Sequence, residues 1–278
     1  MLKWKQFLTP VQSMEPDEAR TYMAKQKEGN YTLLDVRQPG EHEKSRIPGA
    51  TLVPLPELSG RLEEIDPKKP VIAYCAIGGR SRAAAQFLAG KGFKEVYNLK
   101  GGIKAWHGLT AAGTEDLGMS LFRGDEAPEE VIVLAYGMEQ GLGDFYMAMA
   151  EKTEDQEVAN LFVRLSKVEE THKESLLSVY LGLDQTISDK ETFESKIVSN
   201  ILEGGYSTEE FLEKNRGAMQ TVSGVLDIAM MLETQALDLY LRYSQKITDE
   251  EGKGILFNIA EEEKAHLAVL GDLLETRG

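Results

Sequence analysis

Lys167-Val168-Glu169-Glu170-Thr171-His172 and Glu261-Glu262-Glu263-Lys264-Ala265-His266 are the stretches that decide the fold. Each holds a glutamate and a histidine at Glu-x-x-His spacing. Each is preceded, thirty residues upstream, by another glutamate: Glu139 before Glu169, and Glu233 before Glu263. The two sets superpose without a gap at an offset of 94, which also places Asp144 on Asp238, Tyr146 on Tyr240, Lys152 on Lys246, Asp155 on Asp249, Glu157 on Glu251 and Leu176 on Leu270. An ungapped internal repeat is one supersecondary unit used twice, and each unit reads as an antiparallel pair of helices.

Apolar residues recur at three-and-four spacing through all four segments. The inward positions are Ile132, Ala135, Glu139, Leu142, Tyr146 and Met149, then Val158, Leu161, Leu165, Val168, Glu169, His172, Leu176 and Val179. The second unit repeats this with Val222, Leu226, Ala229, Glu233, Ala236 and Tyr240, then Leu256, Ile259, Glu263, His266, Leu270 and Leu274. The acids and imidazoles therefore lie inside apolar stripes. An isolated buried carboxylate costs on the order of tens of kcal/mol in an idealised low-dielectric medium, so it must protonate, pair or bind a cation. Two divalent cations cancel four glutamates, and neutral imidazoles complete the shell. One Glu from each of two helices plus Glu-x-x-His from each of the other two is the pattern of dimetal carboxylate bundles. Two metal ions are expected, iron before manganese or zinc, because an oxygen-rich shell with two imidazoles suits iron or manganese and ligand type does not separate them. Tyr146 and Tyr240 follow Glu139 and Glu233 by seven residues on the same face, and either line the site or pack the core.

Residues 126–277 resemble the rubrerythrin-like branch of the ferritin-like superfamily. The resemblance implies an all-α four-helix bundle with a long crossover between its second and third helices, and a di-iron centre with ligands Glu139, Glu169, His172, Glu233, Glu263 and His266. Rubrerythrins also carry a further glutamate on the third helix and a rubredoxin iron site of four cysteines. Here Ala236 stands at the first position, and the chain has a single cysteine. In the crossover, Ser188-x-x-Glu191 and Ser207-x-x-Glu210 are capping boxes and predict two short helices, packed down by Phe193, Ile197, Ile201 and Phe211.

The chain ahead of the repeat reads differently. Residues 1–16 form an arm into a helix over 17–27, and Tyr31–Val36 reads as a buried strand. Polar loop sequence runs to Gly49, followed by a strand at Thr51–Pro54 and a helix at Glu57–Ile65. Val71–Tyr74 is the strongest strand, leading through a loop to a helix at Ser81–Gly90, a strand at Glu95–Leu99 and a short helix at Ile103–Trp106. Alternating strands and helices argue for a parallel α/β sheet, whose ligands bind beyond the carboxyl ends of the strands. The small, glycine-containing and acidic stretch 108–127 is the expected linker, giving an α/β domain over 1–107 and a bundle over 128–278.

Cys75 lies at such a strand end, in Cys75-Ala76-Ile77-Gly78-Gly79-Arg80-Ser81. Small residues let successive backbone N–H groups curl around one point, and the following helix aims its N-terminus there. Arg80 and Arg82 add positive charge. A thiolate in this turn is stabilised and its pKa lowered, which favours nucleophilic attack. Residues 11–107 resemble the rhodanese family through Leu34-Asp35-Val36-Arg37, Arg46-Ile47-Pro48-Gly49-Ala50, the Cys75–Arg80 loop and Asn98–Trp106. The resemblance implies transfer of a sulfane sulfur through a persulfide on Cys75, with Ala76, Ile77, Gly78, Gly79 and Arg80 cradling it, and with Asp35 and Arg37 as scaffold. The related phosphatases run Cys, five residues, Arg after a His. Here four residues separate Cys75 from Arg80 and Tyr74 precedes the thiol, so the tighter loop suits sulfur better than phosphate.

Composition bounds the function. The net charge of −15 divides unevenly: residues 1–112 hold 17 basic and 12 acidic side chains, residues 113–278 hold 14 and 34. An acidic bundle repels nucleic acid and anionic membranes. Apolar runs are too short to span a bilayer, no signal-peptide core opens the chain, and one cysteine excludes an internal disulfide, so the cytoplasm is the expected compartment. The leading expectation is a sulfurtransferase working on small sulfane-sulfur donors and thiol acceptors, fused to a di-iron redox domain and assembled as a homodimer. The alternatives are a peroxide or oxygen reductase fed by an external electron donor, with the rhodanese module ancillary, and a non-enzymatic sulfide or metal sensor.

Overall fold

Val71-Ile72-Ala73-Tyr74, buried at every position, is the middle strand of a five-stranded parallel sheet ordered β1-β5-β4-β2-β3. The structure is a computed structural model that describes residues 9–183, 190–195, 197 and 217–275. It falls into two compact units, Met1–Thr114 and Glu115–Gly278.

In the first unit the strands are β1 (Gln12–Met14), β2 (Thr32–Asp35), β3 (Thr51–Leu52), β4 (Val71–Tyr74) and β5 (Val96–Leu99). Helices α1 (Pro16–Lys25), α2 (Pro39–Lys44) and α3 (Gly79–Gly90) connect them. A run of four apolar residues without alternation is what a strand covered on both faces requires. Leu34, Ala73, Leu88 and Val96 fill one layer, and Leu33, Ile72, Tyr74 and Leu99 the other.

Three expectations need correction. The arm before residue 16 contributes β1, which pairs with β5 from Gln12 on Tyr97 to Met14 on Leu99. The polar stretch after Val36 contains α2. Pro39 occupies its first turn and the Gln38 N–H donates to Glu41 Oε2, a start signal obscured by the absence of an apolar stripe. The helix expected over 57–65 is two short 3-10 turns, Leu58–Gly60 and Leu62–Glu64. Its Leu58, Leu62 and Ile65 have helical spacing, but Ser59-Gly60 is a poor helix interior and the chain divides there.

A buried polar knot ties β2 to α2. Arg37 Nη2 donates to Asp35 Oδ2 at 2.6 Å and to the Ser45 carbonyl at 2.7 Å, and Arg37 Nε lies 2.9 Å from Asp35 Oδ1. His42 Nδ1 sits 2.9 Å from Asp35 Oδ2, and the Arg37 guanidinium lies over the Tyr74 ring. Burial pushes the Asp35 carboxyl up, but the hydrogen bonds from His42 and Arg37 and the Arg37 charge outweigh it and hold it below the ordinary range. Asp35 and Arg37 are thus scaffold.

The second unit is a four-helix bundle of two hairpins. α4 (Pro128–Lys152) packs on α5 (Gln156–Leu183), and α7 (Val222–Lys246) packs on α8 (Glu250–Glu275). A short α6 (Lys190–Glu194) and the 3-10 turn Ala218–Gln220 are the described parts of the crossover. Ser188, Ile201, Ser207, Glu210 and Phe211 lie outside the described residues. Phe193 is buried, edge-on to Tyr136 and tilted against Tyr180, and Ile197 packs against the same core. The repeat pair Asp155 and Asp249 does equivalent work: each caps the second helix of its hairpin, accepting from Val158 N and from Gly252 N. Arg242, from α7, ties Asp238 to the carbonyls of Glu115 and Leu117. The stretch expected as linker therefore divides, with Ala111 and Gly113 bonded to Arg46 in the first unit. Val168 and Val179, expected inside, are exposed, since the bundle covers a narrower arc of α5 than the full stripe. No helix among the described residues is long and apolar enough to cross a membrane.

Two outcomes follow for the first unit, which contains both tryptophans of the chain and so reports its own unfolding by fluorescence. Asp35→Asn lowers stability in urea by about 3–5 kcal/mol at pH 7, the cost of breaking a buried ion pair. Because the folded pKa of Asp35 is depressed, its contribution is full above about pH 4, the unfolded value, and fades as pH falls through the folded value. The gap to wild type should narrow there. Gly102→Ala unfolds the unit more severely than Gly60→Ala, by about 2 kcal/mol or more. A Cβ at Gly102, whose φ is +60°, would sit 2.3 Å from the Cys75 carbonyl oxygen, whereas Gly60 faces open space.

Candidate thiol site and metal centre

Cys75 follows β4 directly, and the chain reverses at Gly78, whose φ of +93° suits glycine and whose N–H donates to Cys75 Sγ at 3.1 Å. The turn is backed by the Gly101-Gly102 segment after β5. Ile103 N–H donates to the Cys75 carbonyl at 2.8 Å and Lys104 N–H to that of Ala76 at 3.1 Å. α3 begins at Gly79, two residues earlier than its sequence suggests, so Gly79 and Arg80 form its first turn and its N-terminus faces the sulfur. The Ser81 hydroxyl stands 3.4 Å from Cys75 Sγ and 2.7 Å from Asn98 Oδ1, one proton between two acceptors.

Burial pushes the Cys75 thiol up. The Ser81 hydroxyl and the N–H groups of Ser81, Ile77 and Gly78 outweigh that and bring it below the usual thiol range. Arg80, expected to supply charge directly, shares it: its Nη1 and Nη2 donate to Glu41 Oε2 at 2.7 Å and Oε1 at 2.6 Å, and Cys75 is its weaker partner. Glu41 sits on α2, the helix whose start signal lay in Pro39 and the Gln38–Glu41 box. Ile77, at the loop tip, is 67% exposed and gives the sulfur an apolar rim.

In the bundle all six expected residues converge as two triads, Glu139–Glu169–His172 and Glu233–Glu263–His266, with candidate ligand atoms within 4.8 Å of one another in each. The apolar core lies in two parts, one around Ile132, Ala135, Ala236 and Ile259, the other around Leu142, Leu165, Leu226 and Leu270, and the triads occupy the band between them. The two imidazoles stack at a centroid distance of 3.6 Å and an interplanar angle of 8°.

The triads are not equivalent. His172 Nδ1 lies 3.1 Å from Glu139 Oε2 and 3.2 Å from Glu169 Oε2, whereas His266 Nδ1 is 4.0 Å from Glu233 Oε2 and 3.8 Å from Glu263 Oε2. Burial opposes charge on His172, but hydrogen bonds and charge from Glu139 and Glu169 prevail and raise it to about 11. Burial and the neighbouring His172 charge push His266 down to about 3. Burial also raises Glu139, to about 8, and Glu233. Two stacked imidazoles cannot both be cations at this distance, so one carries the proton and the other stays neutral.

Four acids and two imidazoles in a dry band fit a pair of divalent cations. Glu233 Oε2 and His266 Nδ1 are buried without a hydrogen bond, two donor atoms of the kind a cation takes up. Lys173, buried beside the first triad, reaches Gln140 Oε1 and Glu170 Oε1, both at 2.5 Å, and offsets part of the local negative charge. No periodicity marks Lys173 as inward. Tyr146 and Tyr240 are fully buried core residues, Tyr146 against Phe145 and Phe162. A cavity of about 180 Å³ between α5 and α8, walled by Leu165, Val168, Val269 and Leu273, reaches Glu169, Glu233 and His266.

Comparison with known proteins agrees with both halves. A family model described as rhodanese-like domain matches residues 18–109, and one described as rubrerythrin matches residues 130–274. Protein YqhL of Bacillus subtilis, named as uncharacterized, is 50% identical over 80 residues, 29% of this chain and 64% of that protein. A sulfurtransferase of Allochromatium vinosum is 39% identical over 85 residues, 30% of this chain and 79% of that protein. The chain spans under two thirds of YqhL and 26% of a chloroplastic rhodanese-like/PpiC domain-containing protein of Arabidopsis thaliana. A solved rhodanese-related protein of Thermoplasma volcanium is 28% identical, covering 36% of this chain and 98% of that one, at a TM-score of 0.33. With its rubrerythrin match extending over more than half of the 278 residues, the chain belongs to the rubrerythrin family, and it carries a rhodanese-like domain ahead of that region.

Proposed function

We propose that Cys75 is a sulfur carrier and that the bundle holds a di-iron centre for redox chemistry. The observation that carries the reading is the Cys75 sulfur, held as the acceptor of the Gly78 N–H at the N-terminus of α3, a position that favours a thiolate and then a persulfide. With thiosulfate as donor, the thiolate attacks the outer sulfur, the sulfur–sulfur bond of the donor breaks, and sulfite leaves with the electron pair. The persulfide anion inherits the same N–H groups and passes its outer sulfur to a thiol. Ala76, Ile77, Gly78, Gly79 and Arg80 form the cradle, and Ser81 turns its one proton toward whichever sulfur carries charge.

In the bundle Glu139, Glu169, His172, Glu233, Glu263 and His266 hold the metals. A di-iron pair bound there supplies electron transfer to peroxide, dioxygen or a reduced sulfur species. The mainly apolar cavity that reaches His266 favours a second reading for this domain, reduction of a small uncharged oxidant, since its Leu and Val walls, with Arg164 as the one basic residue of the lining, admit such a molecule.

Incubation with thiosulfate should add one sulfur atom to the intact mass of the reduced wild type and none to Cys75→Ser, and chelation should leave that reaction untouched. A wild type that gains no sulfur sinks the sulfur-carrier reading. Elemental analysis should find two iron or manganese ions per chain, falling in Glu263→Gln and in Glu139→Gln. Since burial raises the Glu139 carboxyl and the adjacent acids raise His172, the metal-free site favours bound protons, so loading should release protons and raise the thermal midpoint of the bundle; calorimetry in two buffers of different ionisation enthalpy reads the release. Peroxide consumption that survives Cys75→Ser and is lost in Glu139→Gln would select the oxidant-reducing reading.

A further inference from the structure

We infer that Glu41 selects the sulfur donor: by neutralising Arg80 it turns the Cys75 loop away from dianionic donors and toward donors with one negative charge or none. The inference rests on the reading of Cys75 as sulfur acceptor.

Within Cys75–Ser81, Arg80 is the one basic side chain; its stronger partner is Glu41, and the charge and hydrogen bonding of Cys75 act on it as a smaller effect. A free arginine there would draw a dianion such as thiosulfate. Both of its terminal nitrogens instead point at Glu41, at 2.7 and 2.6 Å. Glu41 is placed for this: its Oε2 also accepts the Gln38 N–H at 3.2 Å, which fixes the carboxylate at the start of α2. Arg80 holds the Glu41 carboxyl down at about 2, so the negative charge persists at every physiological pH. The mouth of the loop thus carries an ion pair of no net charge beside the exposed Ile77 side chain, and the backbone N–H groups and the Ser81 hydroxyl are the main donors left to receive an anion. The Glu41 charge repels a dianion twice as strongly as a monoanion at the same distance. The pair is about one third exposed on each side, so this repulsion is moderate and salt screens it.

The test uses two donors that deliver the same sulfur and differ by one charge. Methanethiosulfonate anion has a methyl group where thiosulfate has an oxygen, and its leaving group is methanesulfinate in place of sulfite. Rates of sulfur addition to Cys75 are measured by intact mass on the full chain, at low and high ionic strength. In Glu41→Gln the thiosulfate to methanethiosulfonate rate ratio should rise about three- to tenfold at low salt and return toward the wild-type value at high salt. Glu41→Asp, which keeps the charge, should keep the wild-type ratio, and Arg80→Gln should lower it. The inference is overturned if Glu41→Gln changes both rates by one factor, leaves the ratio alone, or shifts it independently of salt. A wild type that takes sulfur from neither donor removes Cys75 as acceptor altogether, an outcome distinct from an unmoved ratio in an active protein.

Discussion

Four carboxylates in the dry middle of a helical bundle are the constraint around which the second unit is built. Glu139, Glu169, Glu233 and Glu263 are buried between the two apolar halves of that core, gathered with two imidazoles in an arrangement that could hold a metal ion in each triad. Without metal, burial favours protons on the Glu139 and Glu233 carboxyls, while the acids beside His172 favour a proton on its imidazole and disfavour one on the stacked His266. With two divalent cations the same groups need no protons. A site that is electrostatically strained when empty and satisfied when loaded converts metal affinity into folding stability.

The two hairpins that carry this band descend from one pattern, but they no longer match. His172 is closed in against its two acids, while His266 stands farther from its own and faces the apolar cavity between α5 and α8. Asp238 has Arg242 as a partner, which anchors residues 115–117, whereas its counterpart Asp144 accepts from Gln140.

The thiol loop manages charge by different means. Its sulfur is stabilised by backbone N–H groups and a serine hydroxyl, and its single arginine is shared with an acid from another helix. Dipoles fixed by the backbone need not reorganise when charge moves from one sulfur to the next, which is what the proposed sulfur carrier requires. The Asp35–Arg37–His42 knot and the glycines at 101 and 102 hold that backbone in place from below.

The helical pairs, the strand at Val71–Tyr74, the six inward acids and imidazoles and the thiol turn were all legible in the chain, because each follows from spacing along one element: three-and-four periodicity, a short apolar run, glycines beside a cysteine. Strand β1, helix α2 and the exposure of Val168 and Val179 were not. β1 exists only through its pairing with β5, α2 has no apolar stripe, and how much of a stripe is covered depends on the width of the neighbouring helices. By itself the sequence determined which residues gather at the two candidate sites. Only the tertiary structure decided that Arg80 is held by Glu41, that Lys173 is buried beside the acids and that the two triads differ. Each of these depends on contacts between elements, and no periodicity within one element encodes the distance to another.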